Sequence, residues 1–333
     1  MLEHGGKLRE AARQYGRPVE EWLDLSTGLN PVPYPAPILP ASVWHRLPED
    51  DPALVAAAQA YYGAPHMLAV AGTQDAIQAL PRLRPRSRVV VSAPSYAEHA
   101  YCWRQAGHAV REVPFHLLAQ NVDEAEVMVV CNPNNPTGAT VAPEILLAWA
   151  DSLAARGGCL VVDEAFGDVM PHLSVAQWSG RPGLIVLRSI GKFFGLAGLR
   201  LGFVAAEPAV LSRIAAWIGP WSVSTPAQII GRTALEDRAW QDGARNRLLQ
   251  NGTRLQGMLA DAGIHAAGTA LYRWWPEPLA EAFHVHMAER GIWVRLFPDK
   301  GRGIRLGLPP DEYAWQRLQE ALGAWDALAR NVR

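Results

Sequence analysis

This sequence predicts an α/β fold: a large, mostly parallel sheet domain followed by a smaller α+β domain. Two observations carry the prediction. Between Asp51 and Ala206, short runs rich in Val or Ile alternate with longer amphipathic stretches, as buried parallel strands alternate with the helices that connect them. After Pro220 that rhythm stops, and long helical stretches frame a few short strands instead. A chain of 333 residues has room for about two domains at roughly 150 residues each.

Residues 1–40 predict one short helix, Lys7 to Tyr15, and then a proline-rich connector, Asn30-Pro-Val-Pro-Tyr-Pro-Ala-Pro37, running over the surface and packing with the small domain. Residues 41–220 make up the large domain. Its strands are Arg88–Ser92, Val127–Cys131, Cys159–Val162, Leu184–Leu187 and Leu201–Ala205. Its helices include Gln74 to Leu83, Ala97 to Ala106 and Glu144 to Arg156, the last stopped by Gly157-Gly158. Residues 221–333 make the small domain. Here a long helix or helix pair runs from Pro226 to about Ala262 and closes at Gly263. Strands follow at Leu271–Trp275, Gly291–Leu296 and Gly303–Leu306, with helices at Pro278 to Arg290 and Asp311 to Ala329.

Composition excludes several classes of function. A hydrophobic fraction of 49% with 19% charged residues belongs to a folded globular chain rather than a disordered one. Thirty-one basic residues against 32 acidic ones give a net charge of -1, so no electrostatic footprint for nucleic acid or an anionic membrane is present. No apolar run reaches the ~18 residues of a membrane span, and the opening, Met1 to Glu10, is too polar for a secretory signal, which predicts a cytoplasmic location. Cys102, Cys131 and Cys159 are an odd number without Cys-x-x-Cys spacing, which argues against a disulfide framework or a zinc finger, and no metal is expected. The thirteen tryptophans are scattered and read as core and subunit packing. Lys7, Lys192 and Lys300 are the only lysines among the 31 basic residues, so each one invites a question about its purpose.

In open α/β sheets ligands sit beyond the carboxyl ends of the strands, and four polar groups fall there. They are Asn132-Pro-Asn-Asn-Pro-Thr-Gly138; Asp163 with Glu164; Arg188, Ser189 and Lys192; and Gly195, Gly198 and Arg200. Each alone has an ordinary explanation as a turn, a helix cap or a snorkelling lysine. Together they suit one cofactor, pyridoxal 5'-phosphate. Lys192 sits among small residues beside Phe193 and Phe194, where desolvation favours a neutral, nucleophilic amine able to form a Schiff base. Asp163 suits the pyridinium nitrogen and Asn135 the ring hydroxyl. Ser189, Arg200 and the backbone N–H groups of Ala71-Gly-Thr-Gln-Asp75 suit the phosphate, and Tyr96 suits the ring face.

In order and spacing, Asn132-Pro-Asn-Asn-Pro-Thr-Gly138, Asp163-Glu-Ala-Phe166 and Ser189-x-x-Lys192-x-x-Gly195-x-x-Gly198-x-Arg200-x-Gly202 resemble the motifs of the fold-type I, aspartate aminotransferase-like pyridoxal-phosphate enzymes. The resemblance implies that Lys192 bonds the cofactor aldehyde, that Asp163 faces the ring nitrogen and that Asn135 donates to the ring hydroxyl. It implies phosphate contacts from Thr73, Gln74, Ser189 and Arg200, stacking by Tyr96, and a homodimer. It also implies that Arg305, in Gly303-Ile-Arg-Leu-Gly307, binds the substrate carboxylate. Two positions depart from the pattern: Phe166 stands where many relatives carry a tyrosine that donates to the ring hydroxyl, and Leu47 where many carry one that reaches the neighbouring subunit's cofactor.

The opening, Glu3-His-Gly-Gly6 followed by Leu23-Asp-Leu-Ser-Thr-Gly-Leu-Asn-Pro31, resembles the L-threonine-O-3-phosphate decarboxylases of cobalamin biosynthesis. This implies decarboxylation of L-threonine O-3-phosphate, a small phosphorylated amino acid, to (R)-1-amino-2-propanol O-2-phosphate. His4, Gly5 and Gly6 form a flexible turn that suits a phosphate. Asn30, Asn135, Arg295 and Arg305 complete the expected substrate set, while Arg302 is expected to be solvated. The histidinol-phosphate aminotransferases are the alternative, since their substrate also carries a phosphate and an amine. A pyridoxal-phosphate-binding regulator is the non-enzyme alternative; the absence of a basic helix counts against it.

Overall fold

The computed structural model describes residues 5–298 and 301–332. In chain order its elements are α1 (Leu8–Tyr15), β1 (Leu23–Asp24), α2 (Pro52–Tyr62), β2 (Met67–Val70), α3 (Thr73–Ala79), β3 (Arg88–Ala93), α4 (Ala97–Gln105), β4 (Ala109–Pro114), β5 (Val127–Cys131), α5 (Pro143–Ala154), β6 (Cys159–Asp163), β7 (Leu184–Ser189), β8 (Gly202–Ala205), α6 (Pro208–Ile218), α7 (Thr225–Glu236), α8 (Arg238–Asp261), β9 (Ala267–Thr269), β10 (Tyr272–Pro276), α9 (Ala280–Glu289), β11 (Ile292–Trp293), β12 (Arg295–Phe297), β13 (Gly303–Gly307) and α10 (Glu312–Val332). None of the described helices is long and apolar enough to cross a membrane. The chain groups into two compact units: residues 33–135 with 139–243, and the described parts of 1–32, 136–138 and 244–333.

The first unit is built on a seven-stranded sheet in the order β2-β8-β7-β6-β5-β3-β4. Strands β3 to β7 pair in parallel, while β8 runs antiparallel to both β7 and β2. Every residue of β5, β6 and β7 is buried. That burial on both faces is why they read as unbroken apolar runs. Val127, Val129, Val161 and Leu187 pack in one core cluster with Trp103 of α4. Each such side chain contributes about 1.5–3 kcal/mol of burial.

Six elements lie outside the sequence prediction: β1, α2, β2, β4, α6 and β9. The edge strand β4 carries Arg111 and Glu112 and alternates exposed with half-buried positions, so it has no apolar run to announce it. The expected helix at 74–83 ends at Ala79 and tightens into a 3-10 turn, Leu80–Leu83, with Pro81 near its start. The stretch from Pro226 to Ala262 resolves into a helix pair. It breaks at Asp237, whose Oδ1 accepts from Trp240 N at 2.9 Å and so satisfies one of the first N–H groups of α8.

The second unit carries an antiparallel sheet, β12-β13-β10-β9, and the short parallel pair β1-β11. Its N-terminal residues join through β1, with Leu23 N donating to Gly291 O at 2.8 Å and Gly307 N to Leu25 O at 2.7 Å. Tyr15, Trp22 and Trp293 meet edge to face beneath α1. The single strand expected at 291–296 divides, because Ile292–Trp293 pairs with β1 while Arg295–Phe297 pairs with β13.

The boundary between units falls at 243/244, inside α8, and not at 220/221. Gln228 of α7 shows why: its Oε1 accepts from Asp51 N at 2.8 Å and its Nε2 donates to Glu49 O at 3.0 Å, tying α7 to the start of α2. Residues 33–40 of the connector group with the large unit instead of the small one; Tyr34 N donates to Phe194 O at 2.8 Å.

Candidate active site

Beyond the carboxyl ends of β5, β6 and β7 lies a pocket lined by Thr73, Gln74, Tyr96, Asn135, Asp163, Ser189, Lys192 and Arg200. These are the eight residues whose spacing suggested a cofactor, and all eight belong to the large unit. The sheet explains their convergence. Asp163 and Ser189 are the last residues of adjacent parallel strands, and the turn after each carries the chain across the same crevice. In the loop after β5, three asparagines divide their labour. Asn132 exchanges two hydrogen bonds with the backbone of Val141, at 2.9 and 3.1 Å. Asn134 donates from Nδ2 to Pro94 O at 2.9 Å. Both brace the loop, and Asn135 faces the pocket.

On the opposite wall, Gly72 has φ +83°, and a Cβ there would lie 2.7 Å from the Arg200 guanidinium. Only glycine lets that cation approach the backbone at the start of α3. Tyr96 reaches Gln74 Oε1 through its hydroxyl at 3.3 Å, and Gln74 Nε2 donates to Glu98 Oε2 at 3.0 Å. Burial is the main reason the Tyr96 phenol titrates far above its ordinary value. Lys192 Nζ lies 5.3 Å from the centroid of the Phe166 ring. A phenyl ring supplies that contact without a hydroxyl, so the Phe166 side chain itself donates no hydrogen bond.

The sequence reading missed two polar side chains that stand against Asp163. His99 of α4 is 1% exposed, and its Nε2 lies 2.8 Å from Asp163 Oδ2. Burial opposes the charged imidazole, but its hydrogen bonds to Asp163 and Cys131 outweigh it and push the pKa up to about 10. Cys131, the last residue of β5, sits in register with Asp163 and lines the pocket. The available signal was spacing: Tyr96 at the N-cap of α4 and His99 in its first turn are three apart, and their rings lie 6.0 Å apart, edge to face.

Each pocket-facing strand end also has a chain neighbour on the reverse side. Glu164 and Arg188 form a buried ion pair, and Arg188 also reaches Asp168 Oδ1 at 3.1 Å. The guanidinium carbon lies 4.3 Å from the centroid of the Tyr62 ring. Glu164 further accepts from Ser174 Oγ at 2.5 Å and Val175 N at 2.7 Å. Burial raises the Glu164 carboxyl above its usual range against the pull of Arg188.

Of the residues expected to meet substrate, Gly5, Gly6, Asn30, Arg295 and Arg305 lie in the second unit and Asn135 in the first. His4 falls outside the described residues. Gly6 N donates to Ser26 Oγ at 2.8 Å, and a Cβ on Gly5 would lie 2.6 Å from Ser26 O. Arg305 is 5% exposed, donates from Nη2 to Ser26 O at 2.6 Å and lies 5.4 Å from the Tyr272 centroid. Arg295 faces it in register across β12 and β13. Burial first, and the charge of Arg295 with it, lower Arg305 to about 10. Two guanidiniums side by side are a receptor for anionic groups. Asn30 instead caps its own turn, its Oδ1 accepting from Val32 N at 3.0 Å. Arg302 is exposed beside Glu281.

An amine, a carboxylate paired to an imidazolium, and a guanidinium over a glycine turn make a site for an anionic heterocycle bearing an aldehyde. The chain belongs to the class I and II aminotransferase family, whose model matches residues 43–305. Within that family, a threonine-phosphate decarboxylase of Pseudomonas aeruginosa is 52% identical over 323 residues, covering 97% of each chain. A second threonine-phosphate decarboxylase, from a Sinorhizobium species, is 45% identical over 96% of this chain and 97% of that one. Among solved structures, the histidinol-phosphate aminotransferase of Sinorhizobium meliloti in complex with pyridoxal-5'-phosphate superposes with a TM-score of 0.79 at 22% identity, covering 97% of this chain and 96% of that one.

Proposed function

We propose that this chain is a pyridoxal-phosphate-dependent decarboxylase that converts L-threonine O-3-phosphate to (R)-1-amino-2-propanol O-2-phosphate in cobalamin biosynthesis. The observation that carries the choice of reaction is the likeness to the Pseudomonas decarboxylase along nearly the whole of both chains. A cytoplasmic homodimer is the expected form; sedimentation of the purified chain tests the assembly.

The pocket fits the cofactor. Asp163 offers a carboxylate whose Oδ2 is held by His99 and whose Oδ1 accepts from Ala165 N at 3.0 Å, a fixed anion for a ring nitrogen. Asn135 would meet the ring hydroxyl, Tyr96 the ring face, Thr73, Gln74, Ser189 and Arg200 the phosphate, and Lys192 the aldehyde. When bound, the cofactor supplies a conjugated ring that takes up the electron pair left by the departing carboxyl group. The remaining work falls to the protein. Which bond to Cα breaks depends on which one is held across the ring plane, so the groups that grip the substrate decide the reaction. Arg305 and Arg295 hold its anionic groups, and a firm grip on the phosphate with a loose one on the carboxylate favours loss of carbon dioxide. The Lys192 side chain, as an ammonium, would give a proton to Cα and be left as the neutral amine.

Incubation with threonine phosphate is expected to release carbon dioxide and the amino alcohol phosphate without a keto-acid acceptor. Histidinol phosphate with 2-oxoglutarate serves as the parallel arm. Amino transfer to 2-oxoglutarate, without carbon dioxide from threonine phosphate, would assign the aminotransferase reaction instead.

A further inference from the structure

His99, Cys131 and Asp163 come from three elements, α4, β5 and β6, and their ligand atoms all lie within 4.8 Å of one another. All three residues are buried, at 1%, 4% and 5% exposure. We propose that in the cofactor-free chain these three side chains bind a divalent transition-metal ion of the Zn²⁺ type, and that the ion and the cofactor exclude each other. The exclusion rests on the reading of Asp163 as the cofactor's carboxylate.

The chemistry of the set points to this class of ion. One imidazole, one thiolate and one carboxylate are borderline-soft, soft and hard donors, a mixture that suits Zn²⁺ or Co²⁺ and not Mg²⁺ or Ca²⁺. Tetrahedral bonds of about 2.0–2.3 Å place donor atoms roughly 3.3–3.8 Å apart, so a pair at the 4.8 Å limit closes by about 1 Å while His99 Nε2 and Asp163 Oδ2, now 2.8 Å apart, open by about half an ångström. Cys131 and Asp163 both line the cavity, which leaves a side open for a water as the fourth ligand. Ala165 N orients the Asp163 carboxylate from behind at 3.0 Å, as outer partners do in metal sites.

With one thiolate and one carboxylate as ligands, a divalent ion brings no net charge into the buried site. Tyr96, at the N-cap of α4, and Glu98 lie near the cluster, and Lys192 and Arg200 line the same cavity.

Co²⁺ is the probe, titrated into the full-length chain after removal of the cofactor. The expected result is a saturable thiolate-to-metal charge-transfer band with tetrahedral ligand-field absorption. Cys131→Ser removes the charge-transfer band and weakens binding by more than the about 10- to 100-fold that loss of an outer partner costs. In the unaltered chain, Co²⁺ shields Cys131 from alkylation and leaves Cys102 and Cys159 as they were, a readout that needs no variant. Added pyridoxal phosphate releases the ion, and Co²⁺ raises the apparent cofactor Kd. A Cys131→Ser chain that keeps the parent spectrum, or Co²⁺ that fails to shield Cys131, overturns the metal site. A thiolate-ligated ion that the bound cofactor does not displace leaves the site standing and overturns the role given to Asp163.

Discussion

Lys192 is one of three lysines in the chain, and its Nζ lines the same cavity as Asp163 and Arg200. If it is the amine that bonds the cofactor and later returns a proton, Lys192→Ala lowers turnover by at least about 10²- to 10⁴-fold. Borohydride reduction and peptide mapping check the bond: the parent chain carries the adduct on the Lys192 peptide and the variant carries none. His99 makes a prediction of a different kind. Its proton is held up to about 10, against an ordinary 6.5, so the folded chain binds that proton more tightly than the unfolded one. The resulting stability is fully present below pH 6.5 and is lost as pH climbs through about 10, on the order of a few kcal/mol. Urea midpoints measured across that window should fall for the parent and stay flatter for His99→Asn. Parallel loss in both chains would remove His99 as the cause. Lys192 was legible in the sequence because an unusual residue sat in a motif. His99 was not, because a histidine three places from a tyrosine acquires meaning only when β6 brings a carboxylate to it.

At the level of strands and helices, β6 and β7 are the elements on which the site depends. Asp163 and Ser189 face the pocket, and their chain neighbours Glu164 and Arg188 meet on the other side because side chains alternate along a strand. Removing the cation from that buried cluster leaves two carboxylates, Glu164 and Asp168, without it. Arg188→Met is therefore expected to cost about 3–5 kcal/mol, read from urea unfolding. Replacing all three charged residues with apolar ones of similar size should recover most of the loss, whereas a surface pair would show neither effect. The buried strands were legible because burial on both faces demands continuous Val, Leu and Ile. The edge strand β4 escaped notice for the opposite reason, as solvent on one face permits Arg111 and an ion pair with Arg104 accommodates the half-buried Glu112 on the other. The break at Asp237 was legible only as an open choice between one helix and two, since a lone Asp caps or continues a helix according to what its neighbours offer.

For the molecule as a whole, the division into units separates two sets of predicted residues. The cofactor set lies within one unit, and Arg295 and Arg305 within the other. Arg305→Gln should therefore raise KM for threonine phosphate about 10- to 100-fold, the worth of a charged hydrogen bond, with the cofactor Kd unchanged in a fluorescence titration. Cofactor removal should act the other way, lowering stability by about 2.7 kcal/mol relative to a hundredfold excess over Kd. A calorimetric scan of loaded and stripped chains checks it.

Order and spacing along the chain were enough to establish the sheet, the strand ends and the residues that gather around one small heterocycle, because strand periodicity and turn chemistry are local properties written in consecutive residues. Tertiary structure alone decided that 5–32 pairs with the C-terminal strands, that Asn132 and Asn134 brace a loop while Asn135 faces the cavity, and that His99 and Cys131 stand against Asp163. Those outcomes depend on contacts between residues tens to hundreds of positions apart. Such contacts form only after the chain has closed its loops and buried its core, and no local pattern encodes them.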